Sequence, residues 1–290
     1  MTRSIDHLVL VMHDLRAGRS LYERLGFTLT PVARHPFGTE NSLVQLQGCF
    51  LELLAVADKS AFPTPEPGAF SFPRFNERFL SKGEGLSMLV LDSADAIADG
   101  RRFAAGGIQA YLPFEFGRDA KQPDGSTARV GFKLAFATDP SMPDLAFFTC
   151  QQLAPEFFWK PDYQRHPNTA RAIAEVVLAS LHPQDHSAFF ETFCGAAGVS
   201  DGDGDLVFTT ARGRIRISTP DRLSTAWGRA ADLKFGSPRF VGYVVGVDDI
   251  AATEACLERA GVAFDRVGAR LIASQEATHS VAIAFEQVDA

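Results

Sequence analysis

The chain has 290 residues, enough for two domains of ordinary size with a full core in each. Hydrophobic residues make up 46% of it and charged residues 22%, a composition that excludes a disordered chain. The net charge of -7 contains no long run of one sign, so the sequence predicts neither a nucleic-acid partner nor a membrane surface as partner. A small molecule is therefore the expected partner.

Four cysteines lie far apart and form no Cys-x-x-Cys pair: Cys49, Cys150, Cys194 and Cys256. This spacing predicts neither a zinc knuckle nor a disulfide framework. The first apolar run is interrupted by Asp6 and His7 and is too short for a signal peptide or a membrane span. We therefore expect a cytoplasmic protein.

The first part of the chain predicts one strand, one helix and then short strands. Ile5 and residues 8 to 12 are apolar, which indicates a buried strand, and Leu15, Leu21 and Leu25 have helical spacing up to Gly26. Three stretches of strand character follow, "FTLTPVARH", "NSLVQLQG" and "CFLELLAV", with turns at Pro36-Phe37-Gly38 and Gly48. The unit is predicted to be βαβββ.

The same pattern begins again near residues 86, 174 and 241, so the chain contains four units. The spacing between the strand and the glycine that ends the helix is nearly constant. Nineteen positions separate His7 from Gly26, Ser87 from Gly106 and Gly242 from Gly261, and twenty separate Glu175 from Gly195. Each of these glycines is expected in the left-handed conformation at a helix C-terminus.

Four such units, together with the stretches "IDHLVLVMHDLRAGRSLYERLGF" and "FLELLAV", resemble the vicinal oxygen chelate superfamily, which includes glyoxalase I, extradiol dioxygenases and bleomycin-resistance proteins. The resemblance covers essentially the whole chain. It implies an α+β fold with four βαβββ units paired into two half-open barrels. One barrel would span residues 1–152 and a second, degenerate barrel residues 171–290. Residues 153–170 contain three prolines and are predicted to be a linker.

The resemblance also implies a metal site. In the superfamily the metal is held near the middle of the first and last strands of a unit, and His7 and Glu52 fall on these positions. Imidazole and carboxylate together form half of a ligand set for Fe, Mn, Zn or Ni. Glu52 is the expected catalytic residue, because a glutamate between two leucines is costly to bury without a partner. A hydrogen-bonded His7–Glu52 pair in the core remains the alternative.

The other half of the ligand set is missing. Aligning the second unit on the first places Ser87 opposite His7 and Phe147 opposite Glu52, and neither residue is a good ligand. Extradiol and glyoxalase I sites need more protein ligands than this pair supplies. The second barrel has Glu175, Arg216 and Gly242 at the corresponding places, so we expect it to hold no metal and to serve structure or dimerisation.

The cavity is expected in the first barrel, since 25 phenylalanines against four tyrosines are more apolar aromatic surface than a core of this size requires. Polar residues on loops and aromatic residues on strands are the candidates for its wall. The expected substrate-binding residues are His35, Asn41, Ser87, Phe132, Phe136, Phe147, Trp159 and His166.

Two functions remain open on these residues. One is a divalent-metal-assisted lyase or isomerase, or a dioxygenase-type enzyme, acting on a small substrate that offers two oxygens to the metal. The other is a metal-free small-molecule binding protein of the bleomycin-resistance kind. The sequence also leaves open whether the barrels pair within one chain or across two, so a homodimer is among the expected assemblies.

Overall fold

The structure is a computed structural model that describes residues 2–121, 125–202, 204–228, 236–278 and 281–289. Its first half contains nine strands and three helices in chain order. They are β1 (Ile5–Val11), α1 (Leu15–Arg24), β2 (Ala33–Arg34), β3 (Thr39–Gln45), β4 (Phe50–Val56), α2 (Phe72–Leu80), β5 (Gly85–Asp92), α3 (Ala96–Ala105), β6 (Gln109–Ala110), β7 (Phe114–Lys121), β8 (Thr127–Thr138) and β9 (Ala146–Gln152).

The second half repeats the pattern after one short helix. Its elements are α4 (Pro155–Phe158), β10 (Ala170–Ala179), α5 (Ser187–Cys194), β11 (Val199–Ser200), β12 (Leu206–Thr209), β13 (Arg214–Ser218), α6 (Pro220–Trp227), β14 (Arg239–Val247), α7 (Ile250–Arg259), β15 (Asp265–Val267), β16 (Arg270–Ala273) and β17 (Ala282–Gln287). No helix among the described residues is long and apolar enough to cross a membrane.

Three of the repeated helices begin in the same way. Asp14, Asp95 and Asp249 precede α1, α3 and α7, and each carboxylate accepts hydrogen bonds from two backbone N–H groups of the first turn. Left-handed glycines follow α1, α5 and α7, as the spacing predicts. After α3 the left-handed residue is Gly107 (φ 76°), one position beyond the predicted Gly106.

The strands form two open sheets, which confirms the predicted α+β fold of paired βαβββ units. The first sheet has the order β2-β3-β4-β1-β5-β9-β8-β6, with β7 paired to β8, and the second has the order β11-β12-β13-β10-β14-β17-β16-β15. Within each sheet the two units meet through the antiparallel pairs β1·β5 and β10·β14. Each half therefore has an approximate twofold arrangement.

The largest hydrophobic cluster contains residues from both halves. Phe147 of β9 contacts Phe189 and Phe193 of α5 at ring-centroid distances of 4.8 and 5.5 Å. The hydroxyls of Tyr22 and Tyr243 form a hydrogen bond of 2.9 Å across the halves. Residues 153–169 join the two sheets, with α4 and one 3-10 turn, and the division of the chain into separate domains stays a prediction.

In each half one further helix packs against the sheet, on the face opposite to the shared hydrophobic cluster. Neither helix is predicted from the sequence. In the first half α2 contributes Phe72 and Phe75 to a cluster with the strands. In the second half α6 contributes Leu223 and Trp227, both fully buried. The ring of Trp227 lies so close to β14 that a Cβ at Gly242 would be 2.7 Å from it. Glycine at this position lets the tryptophan fill the face of the second sheet.

Candidate functional site

A cavity lies on the face of the first sheet that α2 partly covers, in the predicted half of the chain. The space within it, including the part open to solvent, is about 500 Å³. Its wall contains seven phenylalanines: Phe37, Phe50, Phe72, Phe116, Phe132, Phe148 and Phe158. The polar groups that line it are His7, His35, Asn41, Glu52, Arg118 and Cys150.

His7 is held in one orientation by its neighbours. Its Nδ1 lies 2.6 Å from Oδ2 of Asp6, whose other oxygen accepts a hydrogen bond of 3.1 Å from Gln152. The imidazole stacks on Phe50 with the ring centroids 4.2 Å apart. Because Nδ1–H donates to Asp6, Nε2 of the neutral ring carries the lone pair, and this nitrogen faces Glu52.

Glu52 of β4 is the centre of the polar cluster. Its Oε1 accepts a hydrogen bond of 2.6 Å from Nδ2 of Asn41, and its Oε2 lies 3.7 Å from Nε2 of His7. The side chain is 7% exposed, and burial raises the pKa of its carboxyl, while His7, Asn41 and Arg118 oppose that rise. The site thus holds a carboxyl group whose affinity for a proton is higher than usual.

His35 lies on the other side of the same carboxylate. Its Nε2 is 3.9 Å from Oε1 of Glu52, and its Nδ1 is 2.8 Å from the hydroxyl of Thr39. Burial, aided by the charge of Arg118, lowers the pKa of His35 to about 3, so the ring is neutral at physiological pH. Its Nε2 can then accept a hydrogen bond from Asn41 Nδ2 at 3.3 Å.

The donor set falls short of the metal site that the superfamily resemblance implies. His7 and Glu52 approach each other within the 4 Å that a shared ion requires, but a catalytic zinc site uses three protein ligands. Among the described residues no group of three His, Cys, Asp or Glu side chains is arranged to hold a metal ion. The described residues of the cavity therefore do not fit a resident metal.

Ser87 and Phe147 lie elsewhere than the sequence alignment places them. Strand pairing sets Val9 opposite Glu52 in the first unit and Val90 opposite Phe148 in the second, so Met88 and Phe148 occupy the positions of His7 and Glu52. The expected alignment was one residue out, since the irregularity at Ser87 in β5 corresponds to the one at Asp6 in β1 and not to His7. A slip of one residue moves a strand side chain to the opposite face.

The consequences for these two residues are definite. Phe147 faces α5 in the shared core and does not line the cavity. Ser87 donates a hydrogen bond of 2.8 Å to the amide oxygen of Asn76 in α2 and is likewise absent from the cavity wall. The placement expected for both residues is wrong.

The remaining expected wall residues divide into two groups. His35, Asn41 and Phe132 line the cavity beside His7 and Glu52. Phe136 and Trp159 pack one layer behind it, against Phe148 and Phe50 respectively. Their aromatic surface supports the wall without forming it.

His166 lies outside the cavity and joins segments of the backbone. Its Nδ1 accepts from the N–H of Thr28 at 3.0 Å, and its Nε2 donates to the carbonyl of Gln45 at 2.8 Å. Burial lowers the pKa of His166, in agreement with a neutral ring that uses both nitrogens. The expected substrate contact of His166 is therefore wrong in this structure.

Arg118 and Phe116 are cavity residues that the sequence analysis missed. Both belong to β7, where Phe114, Phe116 and Arg118 alternate with residues that face away. That alternation was the available signal. Cys150 also lines the cavity, but burial raises the pKa of its thiol, so it is not a thiolate nucleophile.

Comparison with known proteins agrees with this geometry. The profile of a family described as "Glyoxalase-like domain" matches residues 5–194, well over half of the chain. The chain belongs to the glyoxalase-like domain family. No curated protein matches this glyoxalase-like chain in sequence.

Solved structures show the same fold over the whole chain. A hypothetical protein from Staphylococcus aureus matches with a TM-score of 0.69 and 13% identity, covering 99% of this chain and 100% of the other. A mutant of 4-hydroxymandelate synthase from Streptomyces coelicolor matches with a TM-score of 0.60 and 13% identity, covering 99% and 92%.

A third match is a xylose isomerase-like TIM barrel/4-hydroxyphenylpyruvate dioxygenase fusion protein, with a TM-score of 0.60 and 13% identity. It covers all of this chain and 49% of the fusion protein. The family match confirms the predicted glyoxalase-like domain, and these neighbours show that the same fold extends over the whole chain. At such low identity the likeness concerns the fold alone.

Proposed function

We propose that this glyoxalase-like protein is an acid–base enzyme of the lyase or isomerase type, in which Glu52 takes a proton from a small, largely apolar substrate. The observation that supports it is a buried carboxylate between two imidazole nitrogens, at 3.7 and 3.9 Å, inside a phenylalanine-lined cavity. A general base works best when its pKa lies near the operating pH, and the raised pKa of Glu52 moves it in that direction.

The two oxygens of Glu52 have different tasks in this proposal. Oε1 is engaged by Asn41, which fixes the plane of the carboxylate. Oε2 forms no hydrogen bond with the described residues, so it is the atom that accepts the substrate proton. An apolar wall strengthens this step, because it keeps water from competing for the carboxylate.

His7 is the partner that moves the proton onward. Its Nε2 stands 3.7 Å from Glu52 Oε2, so one substrate atom can lie within reach of both groups. When Nε2 takes up a proton, Asp6 stabilises the imidazolium through the 2.6 Å contact with Nδ1. Returning that proton to another substrate atom gives an isomerisation, and giving it to a leaving group gives an elimination.

Deuterium exchange tests the proposal without knowledge of the final product. Small aromatic and aliphatic compounds with an acidic C–H are incubated with the protein in D₂O, and exchange is followed by proton NMR. We expect exchange catalysed by the wild type and a loss of about 10²- to 10⁴-fold in Glu52→Gln. Glu40→Gln on the adjacent strand, a partly buried ion-pair partner of Arg34 outside the cavity wall, is the matched control and should exchange normally. Exchange in Glu52→Gln at the wild-type rate would overturn the proposal.

A metal-free binding protein is the second candidate, and the predominance of phenylalanine in the cavity wall favours it. This function predicts compounds that bind equally to the wild type and Glu52→Gln, survive chelator treatment and undergo no exchange. The metal-assisted enzyme predicts a stoichiometric ion after reconstitution with Fe, Mn, Zn or Ni, and exchange that a chelator abolishes. A cytoplasmic location, the absence of nucleic-acid partners and a homodimer are further proposals.

A further inference from the structure

Four charged residues of the hairpin of β7 and β8 form two pairs. Glu115 pairs with Lys133 at 3.2 Å, and Asp119 pairs with Arg129 at 3.7 Å. These side chains face away from the cavity, in alternation with Phe114, Phe116 and Arg118. These four outward charges are thus matched across the two strands.

Arg118 differs from them. Its side chain is half-buried in the cavity wall, yet it forms no hydrogen bond and no ion pair of 4 Å or less with any residue that the structure describes. Glu52 is the carboxylate whose charge acts on it, but the carboxylate is engaged by Asn41 and flanked by the histidines. A guanidinium with five N–H donors is costly to leave without an acceptor in an apolar wall.

We propose that Arg118 binds a carboxylate group of the substrate, so that the cavity selects small aromatic or apolar carboxylates. The planar fork of a guanidinium matches a carboxylate through two parallel hydrogen bonds. Phe116 and Phe132, whose rings stack at 5.3 Å on the same hairpin, supply an apolar surface for the remainder of the ligand. The inference rests on the proposed function for the step that follows binding.

In this arrangement, binding the substrate and removing its proton are tasks of different residues. Arg118 holds the anionic end of the substrate, and the Asn41–Glu52–His7 cluster faces the part that loses the proton. Binding a carboxylate at Arg118 also neutralises the cation, and the substrate then brings its own negative charge into the neighbourhood of Glu52. A substrate of this class would therefore raise the proton affinity of the base as it binds.

Equilibrium binding of matched acid and amide ligands tests the inference. The probes are benzoate, phenylacetate and 3-phenylpropionate, each compared with its neutral primary amide by calorimetry or ligand-observed NMR. At least one acid should bind the wild type about 10- to 100-fold more tightly than its amide. Arg118→Gln should lower the affinity for that acid to the amide level and leave the amide unchanged.

Two further variants sharpen the result. Arg129→Gln removes an outward cation from the same hairpin and should leave both affinities unchanged. Arg118→Lys keeps the charge but loses the fork, so it should retain only part of the preference for the acid. Thermal melting of each variant verifies that it is folded before binding is compared.

The inference is wrong if no acid binds more tightly than its amide, or if Arg118→Gln binds the acid like the wild type. Its outcome is separable from that of the proposed function, because binding is measured without turnover. Acids that bind through Arg118 but never exchange deuterium would refute the enzyme and leave the carboxylate site in place. If only neutral compounds exchange deuterium, and Arg118→Gln does not change their rate, the enzyme would stand and the carboxylate site would be refuted.

Discussion

The two halves of the molecule carry different functional groups at equivalent backbone positions. Parallel pairing sets Phe50 opposite His7 in the first half and Arg214 opposite Glu175 in the second, and it sets Glu52 and Arg216 two residues further along. Glu175 therefore stands at the position of His7, and Arg216 at that of Glu52, as predicted from the sequence. The first half has an imidazole and a carboxylate at these positions, and the second has a carboxylate and a guanidinium.

The second pair is closed by its own charges. Arg216 lies 3.3 Å from Glu175 and 2.9 Å from Asp205, which also binds Arg222 at 2.6 Å. Trp227 of α6 fills the neighbouring face of the sheet. In the first half, by contrast, α2 places Phe72 at the edge of an open cavity. The same arrangement of strands therefore holds an open cavity in the first half and a filled face in the second. The difference follows from the polar residues, which form ion pairs with one another in the second half.

The largest expected loss of stability comes from removing a buried aromatic ring in the second half. Trp227→Ala removes a fully buried ring that packs on Gly242, and it should lower the free energy of unfolding by about 3–5 kcal/mol. Phe72→Ala is the matched change in the first half, where the cavity already exists, and it should cost less. Urea denaturation measures both, and equal losses would contradict the difference between the halves.

Breaking the ion pair should have the next largest effect. Arg216→Met leaves Glu175, which is 1% exposed, with Arg214 as its remaining cation at 3.3 Å. Loss of one partner of a buried pair costs about 3–5 kcal/mol, and we expect about 2–3 kcal/mol here because Arg214 remains. The control is Arg129→Met, which breaks an exposed pair and should not change the urea midpoint. A stable Arg216→Met variant would show that the second pair is not needed to seal its half.

His35 should make the first half sensitive to acid. Its pKa is about 3 in the folded protein against an ordinary value of 6.5, so the unfolded chain takes up the proton first as the pH falls. The stability that this neutral ring contributes is complete above pH 6.5 and is lost as the pH falls toward 3.

Between pH 7 and pH 5, the free energy of unfolding of His35→Gln should therefore fall by about 1–2 kcal/mol less than that of the wild type. Urea midpoints at the two pH values give this difference directly. Identical losses in the two proteins would mean that His35 is protonated in the folded state.

Glu52→Gln should be slightly stabilising at neutral pH. The folded pKa of Glu52 is raised above its ordinary value of 4.5, so the contribution of this group favours the folded state below 4.5 and is lost as the pH rises through the folded pKa. Glutamine removes the buried charge and can still accept from Asn41. We expect a rise in Tm of about 2–4 °C at pH 8 that disappears below pH 4.5. A fall in Tm at pH 8 would show that the carboxylate stabilises its half.

The sequence by itself predicted the four units, because helix spacing, glycine stops and strand patterns are properties of neighbouring residues. It also singled out His7 and Glu52, since a charged residue in an apolar strand is visible without a structure. Neither α2 nor α6 was predicted, although Pro73 and Pro220 stand in the first turn of each.

Tertiary structure alone decided which side chains meet. Ser87 and Phe147 were misplaced because two apolar strands can be aligned one residue apart by sequence, and only the pairing of the strands fixes which residues are equivalent. His166 was misread because its two hydrogen-bond partners, Thr28 and Gln45, are more than a hundred positions away. Arg118 escaped notice for the same physical reason: whether a cation is paired depends on groups that only the folded chain brings near it.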